Sequence, residues 1–158
     1  MAGRAWGDAM TTTWDKVVAW AAETIEAIEP TMNPHQRFHA LDGFVEMGNE
    51  PLPTFDRSFV IAAGKASPGP TYGMREERDV ICELFVSIGY VDALDRVALE
   101  RRIGIDRDLI TAALEHRDGS PAVDVQWVDA DVNRSPLPEE PERQLSEIRF
   151  AVKYRVKL

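Results

Sequence analysis

The chain has 158 residues, of which 44% are apolar and 28% charged, as is usual for one globular domain with a substantial core. Its formal net charge of −9 argues against a protein that coats nucleic acid. No apolar run approaches the roughly 18 residues of a membrane span, and the N-terminus lacks the apolar segment of a secretory signal. The single cysteine, Cys82, excludes an internal disulfide framework and is expected to be buried.

Residues 1–11 indicate a flexible N-terminal arm, and we predict a single domain over residues 12–158. Thr12 or Thr13 can cap an amphipathic helix, which Pro30 stops. The apolar residues of this helix recur at spacings of three, four and seven. They are Trp14, Val17, Val18, Ala21, Ile25 and Ile28.

The next part of the chain contains two predicted strands separated by a loop. Residues 30–55 predict an irregular connection with at most one short strand, near His35–Leu41. Asp56–Ala63 predicts a strand, and Gly64–Gly73 a flexible loop because it is rich in glycine and proline. Val80–Tyr90 is apolar on both faces, which favours a central strand.

A helical region follows. Asp92 is a suitable N-cap for a helix over Ala93–Ile103. Gly104 interrupts the pattern and Asp106 can cap a second segment, so either two short helices or one kinked helix fits. The alternation from Val123 to Trp127 then predicts another strand.

The last twelve residues give the clearest pattern in the chain. After an acidic, proline-rich loop at residues 135–142, apolar and mostly cationic positions alternate over Glu147–Leu158. A strand turns successive side chains to opposite faces, so this strand has one apolar face and one basic face. The predicted fold class is α+β: a roughly four-stranded, mostly antiparallel sheet packed on one face by the N-terminal helix and the central helix pair. Two long loops, 64–78 and 131–144, remain as candidate functional segments.

The chemical motifs are weak. His35 and His39 have helical metal-ligand spacing, but no Glu follows His35 and only His116 remains as a third histidine. No phosphate loop or nucleophile elbow occurs. We therefore expect no enzymatic activity, no cofactor and no catalytic residue.

A calcium-binding loop is one alternative for the acidic segment. Asp129, Asp131, Asn133 and Glu140 fall at positions one, three, five and twelve of such a loop. Arg134, however, stands where that loop requires glycine. A small-ligand or calcium-binding module thus stays open as a minor hypothesis.

The basic face of the last strand consists mainly of Arg149, Lys153, Arg155 and Lys157. It could contact nucleic acid, lie in solvent paired with carboxylates such as Glu83, or dock an acidic partner. The negative net charge favours the last two interpretations.

Several segments together resemble the tail terminator (tail completion) proteins of tailed bacteriophages. They are the amphipathic N-terminal helix, Arg57-Ser-Phe-Val-Ile, the glycine-rich stretch, Asp79-Val-Ile-Cys-Glu-Leu-Phe-Val, the Asp-capped helical stretch and the closing Ile148-Arg-Phe-Ala-Val-Lys-Tyr. The resemblance covers most of residues 13–158 and rests on the order and texture of these segments.

The resemblance implies a structural virion protein, assembled in the host cytoplasm, that forms a hexameric ring on the head-proximal end of the tail tube. Its expected partners are further copies of itself, the tail tube protein and a neck or head–tail connector protein, with no membrane. DNA would pass through the lumen without sequence-specific binding. Another neck or connector component is the nearest alternative. The candidate interface residues are Lys65, Tyr72, Arg75, Glu139, Glu140, Arg149, Lys153 and Arg155.

Overall fold

The computed structural model describes residues 10–31, 36–46, 56–91, 96–116, 118–134 and 143–158. Within these ranges the protein is an α+β fold of two helices and five strands. In chain order they are α1 (Trp14–Glu26), β1 (His39–Glu46), β2 (Ser58–Tyr72), β3 (Glu77–Val91), α2 (Arg96–His116), β4 (Asp124–Arg134) and β5 (Arg143–Lys157).

The five strands form one open, mixed sheet in the order β1-β2-β3-β5-β4. β1 runs parallel to β2, and every other pairing is antiparallel. The C-terminal strand β5 therefore lies inside the sheet, between β3 and β4. The prediction of an α+β fold with a mostly antiparallel sheet is confirmed, whereas the predicted strand number was one too low.

The core lies between one face of the sheet and the two helices. The apolar positions of β5 are buried as the alternation predicts: Ile148, Phe150, Val152 and Tyr154. They form one cluster with buried residues of both helices. At one end of the cluster, the rings of Trp14 and Tyr154 pack with their centroids 5.6 Å apart.

Of the two alternatives that the sequence leaves open here, a helix pair or one kinked helix, the structure has a single helix, α2. Gly104 lies inside it, and a Cβ there would meet only Arg107 Nη2, at 3.9 Å. Asp106 is not a cap, because its side chain is buried within the fold. The predicted N-cap, Asp92, lies outside the described residues. Tertiary burial of Asp106 and of its apolar neighbours thus keeps the helix continuous where local sequence suggests a break.

The predicted flexible loop 64–73 is wrong, since almost all of it belongs to β2. β2 and β3 pair out to Tyr72 and Glu77, with one register shift between Ala63 and Ala66 and another at the two prolines, between Pro68 and Thr71. The glycines permit close approach: a Cβ on Gly64 would lie 2.4 Å from Phe85 Cε2, and one on Gly69 would lie 3.0 Å from the Asp79 carbonyl oxygen. The composition of this segment indicates flexibility, but the close packing against β3 requires glycine at these two positions.

The second predicted loop, 131–144, is shortened from both sides. β4 continues to Arg134 and β5 begins at Arg143. The end of the predicted N-terminal arm is part of the fold. Thr11 forms an isolated β-bridge with Arg155, and the Thr12 N–H donates to the Arg155 carbonyl at 2.7 Å. Residues 1–9 lie outside the described part of the chain.

Candidate assembly interface

The long hairpin formed by β2 and β3 is the first candidate surface. Each strand has 15 residues. Ser58–Ala62 at the start of β2 is buried, whereas Lys65–Tyr72 is exposed or half-buried. We call the turn that closes the hairpin, Gly73–Glu76, the hairpin tip. Two predicted interface residues, Lys65 and Arg75, are exposed on this hairpin.

A buried ion pair holds the outer part of the β2–β3 hairpin, the part nearest the turn, against β5. Arg155 Nε donates to Asp79 Oδ1 at 2.8 Å, and the Arg155 guanidinium lies 4.1 Å from the centre of the Tyr72 ring. The Tyr72 hydroxyl in turn donates to Asp79 Oδ2 at 3.0 Å. The hydrogen bond to Asp79 raises the pKa of Arg155. Two predicted interface residues, Tyr72 and Arg155, are thus brought together, but the Arg155 side chain is only 4% exposed and serves the fold.

The basic face of β5 is paired with carboxylates on both neighbouring strands. Arg149 Nη1 donates to Glu83 Oε2 of β3 at 3.2 Å, and Arg149 Nε donates to Asp129 Oδ1 of β4 at 3.1 Å. The hydrogen bond to Asp129 is the main reason why the pKa of Arg149 is raised. The expected pairing of this face with Glu83 is present at Arg149, whereas Arg155 on the same face is buried and not solvated. Lys153, between Ile81 and Asp124 in the strand register, is half-buried. Glu139 and Glu140 lie outside the described residues.

A second buried polar network, which no sequence motif indicates, joins β3 and α2 to the residue that precedes β2. Arg57 Nε and Nη2 donate to the two carboxylate oxygens of Asp106 at 2.7 and 3.0 Å, and both side chains are 0% exposed. The Tyr90 hydroxyl donates to Asp106 Oδ2 at 2.9 Å. Burial, together with the charge of Asp106, raises the pKa of Tyr90 well above its ordinary value, so the phenol remains a donor.

A second ion pair adjoins this network. Arg102 on α2 binds both carboxylate oxygens of Asp56 at 2.8 and 2.9 Å, and its guanidinium lies 5.3 Å from the centre of the Tyr90 ring. The sequence did carry a signal: Arg102 and Asp106 occupy positions on the same helix face as Leu99 and Ile110. Charged residues within an apolar stripe indicate buried pairing. Because the central groups are inaccessible, this network supports the fold and is not a binding site.

An apolar groove lies beside α1 and is the second candidate surface. Its volume is about 270 Å³. We call it the α1 groove. α1 contributes Val18, Ala19 and Ala22 to its lining, and the sheet contributes Leu41, Phe59 and Ile61. Asp15 lies at the same groove, one turn before Ala19. The sequence pattern places this helix in the core and gives no sign of an open space beside it.

The exposed large apolar side chains include residues at the hairpin tip and on β4. At the hairpin tip, Met74 is fully exposed. On the edge strand β4, Trp127, Val128 and Val132 are each about half exposed. A register irregularity between Trp127 and Asp129 accompanies this edge patch. Exposed apolar residues of this size often mark interaction surfaces when they cluster.

The candidate calcium ligands that the structure describes lie on a strand and not in a loop. Asp129 and Asp131 lie on β4, where Asp129 binds Arg149 and the Asp131 carboxylate accepts from the Val132 N–H. Glu140 is not among the described residues. Within the described ranges, no group of three or more His, Cys, Asp or Glu side chains is placed to hold a metal ion. Nor does either described helix have the length and apolar character to cross a membrane.

No protein-family model matches the chain, and no curated protein matches it.

Proposed function

We propose that this protein is a structural virion subunit that caps the head-proximal end of a phage tail tube as a ring. In this role it ends tube polymerisation and offers the surface for the neck or head. The proposal begins from the resemblance of its segments to tail terminator proteins. The observation that carries it further is the long β2–β3 hairpin, whose outer half extends past the most buried part of the core.

The outer hairpin has the properties of an assembly arm. From Lys65 to Tyr72 it spans eight residues, or roughly 26 Å of strand at about 3.3 Å per residue. The Arg155–Asp79 ion pair and the Tyr72 ring hold this extension against β5. A rigid arm loses less conformational entropy on binding than a flexible loop of the same length.

The open sheet also supports head-to-tail association. Its two edges differ: β1 pairs only with β2, and β4 pairs only with β5, within the described residues. Contacts between different surfaces of identical subunits are heterologous, and they close into a ring when the rotation divides the circle. The net charge of −9 would limit adhesion of DNA passing through the lumen.

Another neck or head–tail connector subunit is the nearest alternative, because a rigid arm would serve it equally well. Binding to tube ends distinguishes the two roles. A terminator binds the growing end of purified tail tubes and stops elongation, whereas a connector binds only after the end has been capped.

The test combines light scattering of the purified protein over a range of concentrations with negative-stain imaging, with and without tail tubes. We expect rings of about six subunits, alone or on tube ends, and an arrest of tube elongation. A protein that stays monomeric and leaves elongation unchanged would refute the proposal. Addition of calcium serves as the control, since a calcium-dependent change would favour the ligand-binding alternative.

A further inference from the structure

We propose that the hairpin tip of one copy inserts Met74 into the α1 groove of a neighbouring copy, with Arg75 placed against Asp15. This inference deepens the proposed function and rests on it for its biological role. It commits to a second copy of this chain as the occupant of the groove.

The tip presents an apolar group on an ordered turn. Met74 is fully exposed, and its unbranched, adaptable side chain suits an irregular apolar cavity. The turn around it is held by backbone hydrogen bonds: Arg75 N–H to the Tyr72 carbonyl at 3.0 Å, and Leu158 N–H to the Glu76 carbonyl at 2.7 Å. The methionine is therefore displayed at a defined place, away from the core of its own subunit.

The groove offers a complementary apolar surface. Phe59 and Ile61 of β2 and Val18 of α1 line it but are almost fully buried, whereas Leu41 beside them is half-buried and accessible. Ala19 and Ala22, on the same side of α1, are small, so they leave space between helix and sheet that larger side chains would fill. A volume of about 270 Å³ suits the entry of a side chain from outside, whose burial is favourable.

The charges beside the two surfaces have opposite signs. Arg75 follows Met74 directly and is exposed. Asp15 lies at the groove, and the hydrogen bond from the Thr13 hydroxyl lowers its pKa, which keeps it ionised at neutral pH. Insertion of Met74 can thus bring a cation to a groove that carries an anion. Such complementarity favours one orientation of the partner over others.

The contact must be made between copies and not within one chain. Along β2, Tyr72 is eleven residues beyond Ile61 in the groove lining, or roughly 36 Å at about 3.3 Å per residue. The part of β2 between them is paired with β3 and cannot fold back onto the groove of the same chain. Tip and groove are different surfaces, so their contact is heterologous, as a ring requires.

Disulfide cross-linking tests this contact directly. The test chain carries Met74→Cys and Ala19→Cys, and the matched control carries Met74→Cys with Ala112→Cys, an exposed alanine on α2. Cys82 is replaced by Ala in both chains. Under mild oxidation we expect the test chain to form a ladder of covalent oligomers at least tenfold faster than the control. Equal rates in the two chains would overturn the inference.

A mixture of two single-cysteine proteins checks the head-to-tail geometry. Equimolar Met74→Cys and Ala19→Cys chains should give covalent dimers that contain one of each, and no larger species. If the Met74→Cys chain alone forms dimers as fast as the mixture, the tips meet each other and the inference is wrong.

Point variants give a readout that does not depend on oxidation. Met74→Asp should weaken self-association at least tenfold, and Met74→Leu should retain it, while both keep the melting temperature of the parent. Loss of association in both variants, or in neither, would overturn the inference. Imaging separates this result from the proposed function: wild-type rings without the cross-link refute only the tip-and-groove contact, whereas a specific cross-link that builds open chains refutes the capping ring.

Discussion

Replacing Asp106 with asparagine should destabilise the fold strongly. The substitution keeps the shape of the side chain but removes the negative charge that binds Arg57, at a site where both partners are 0% exposed. The Arg57 guanidinium would then remain buried without its counter-ion. Breaking a buried pair in this way costs about 3–5 kcal/mol, a large part of the roughly 5–15 kcal/mol that stabilises an ordinary domain.

The free energy of unfolding measured by urea denaturation checks this prediction. With a urea dependence of about 2 kcal/mol per molar, the midpoint should fall by roughly 2 M. The matched control is Asp129→Asn, which weakens the partly exposed pair with Arg149 and should cost less than about 1 kcal/mol. Equal losses in the two variants would refute the claim that the Arg57–Asp106 network stabilises the fold.

A double variant separates a buried charge from lost packing. Arg57→Met with Asp106→Leu, made in a Tyr90→Phe background so that no buried hydroxyl loses its acceptor, removes both charges together and should recover most of the stability lost in Asp106→Asn, because apolar replacement of a whole buried pair is often neutral. Tyr90→Phe should cost about 1 kcal/mol, since Asp106 keeps its bonds to Arg57. If the double variant is less stable than Asp106→Asn, packing outweighs charge at this site.

Three further predictions concern the sheet. Gly64→Ala should destabilise by about 1–3 kcal/mol in urea denaturation because the new Cβ meets Phe85, whereas Gly73→Ala, with open space around it, should change stability by less than about 0.5 kcal/mol. Phe150→Ala should cost about 3–5 kcal/mol in the same assay, since the ring is fully buried in the core, and a near-neutral result would contradict that placement. Burial raises the pKa of the Cys82 thiol from 9.0 to about 11, so the contribution of the protonated thiol to the free energy of unfolding is complete below pH 9 and is lost as the pH rises towards 11. The free energy of unfolding should therefore fall less between pH 8 and pH 10.5 in Cys82→Ala than in the parent. Equal losses in the two proteins would argue against a perturbed thiol.

The elements predicted best from sequence are those whose evidence is local. The alternation of β5 and the apolar stripe of α1 are both patterns of neighbouring residues, and the structure buries most of the expected side chains of both. Leu158, at the end of the alternation, is the exception with 60% exposure. The glycines and prolines of β2 were misleading, because composition alone cannot distinguish a flexible turn from a strand that needs close approach to Phe85 and Asp79. The candidate interface residues likewise fall into two groups. Lys65 and Arg75 are exposed, as the sequence predicts for a surface arm. Arg155 is buried by partners that no local sequence pattern reveals.

The sequence by itself determined the α+β class, the first helix and the apolar face of the closing strand, because hydrophobic periodicity is read over adjacent residues. Only the tertiary structure decided which charges are buried, where the hairpin ends and where a groove remains beside α1. The bond from Arg57 to Asp106 spans 49 positions of sequence and that from Arg155 to Asp79 spans 76. Such pairings depend on strand order and helix packing, which bring together residues that share no local pattern.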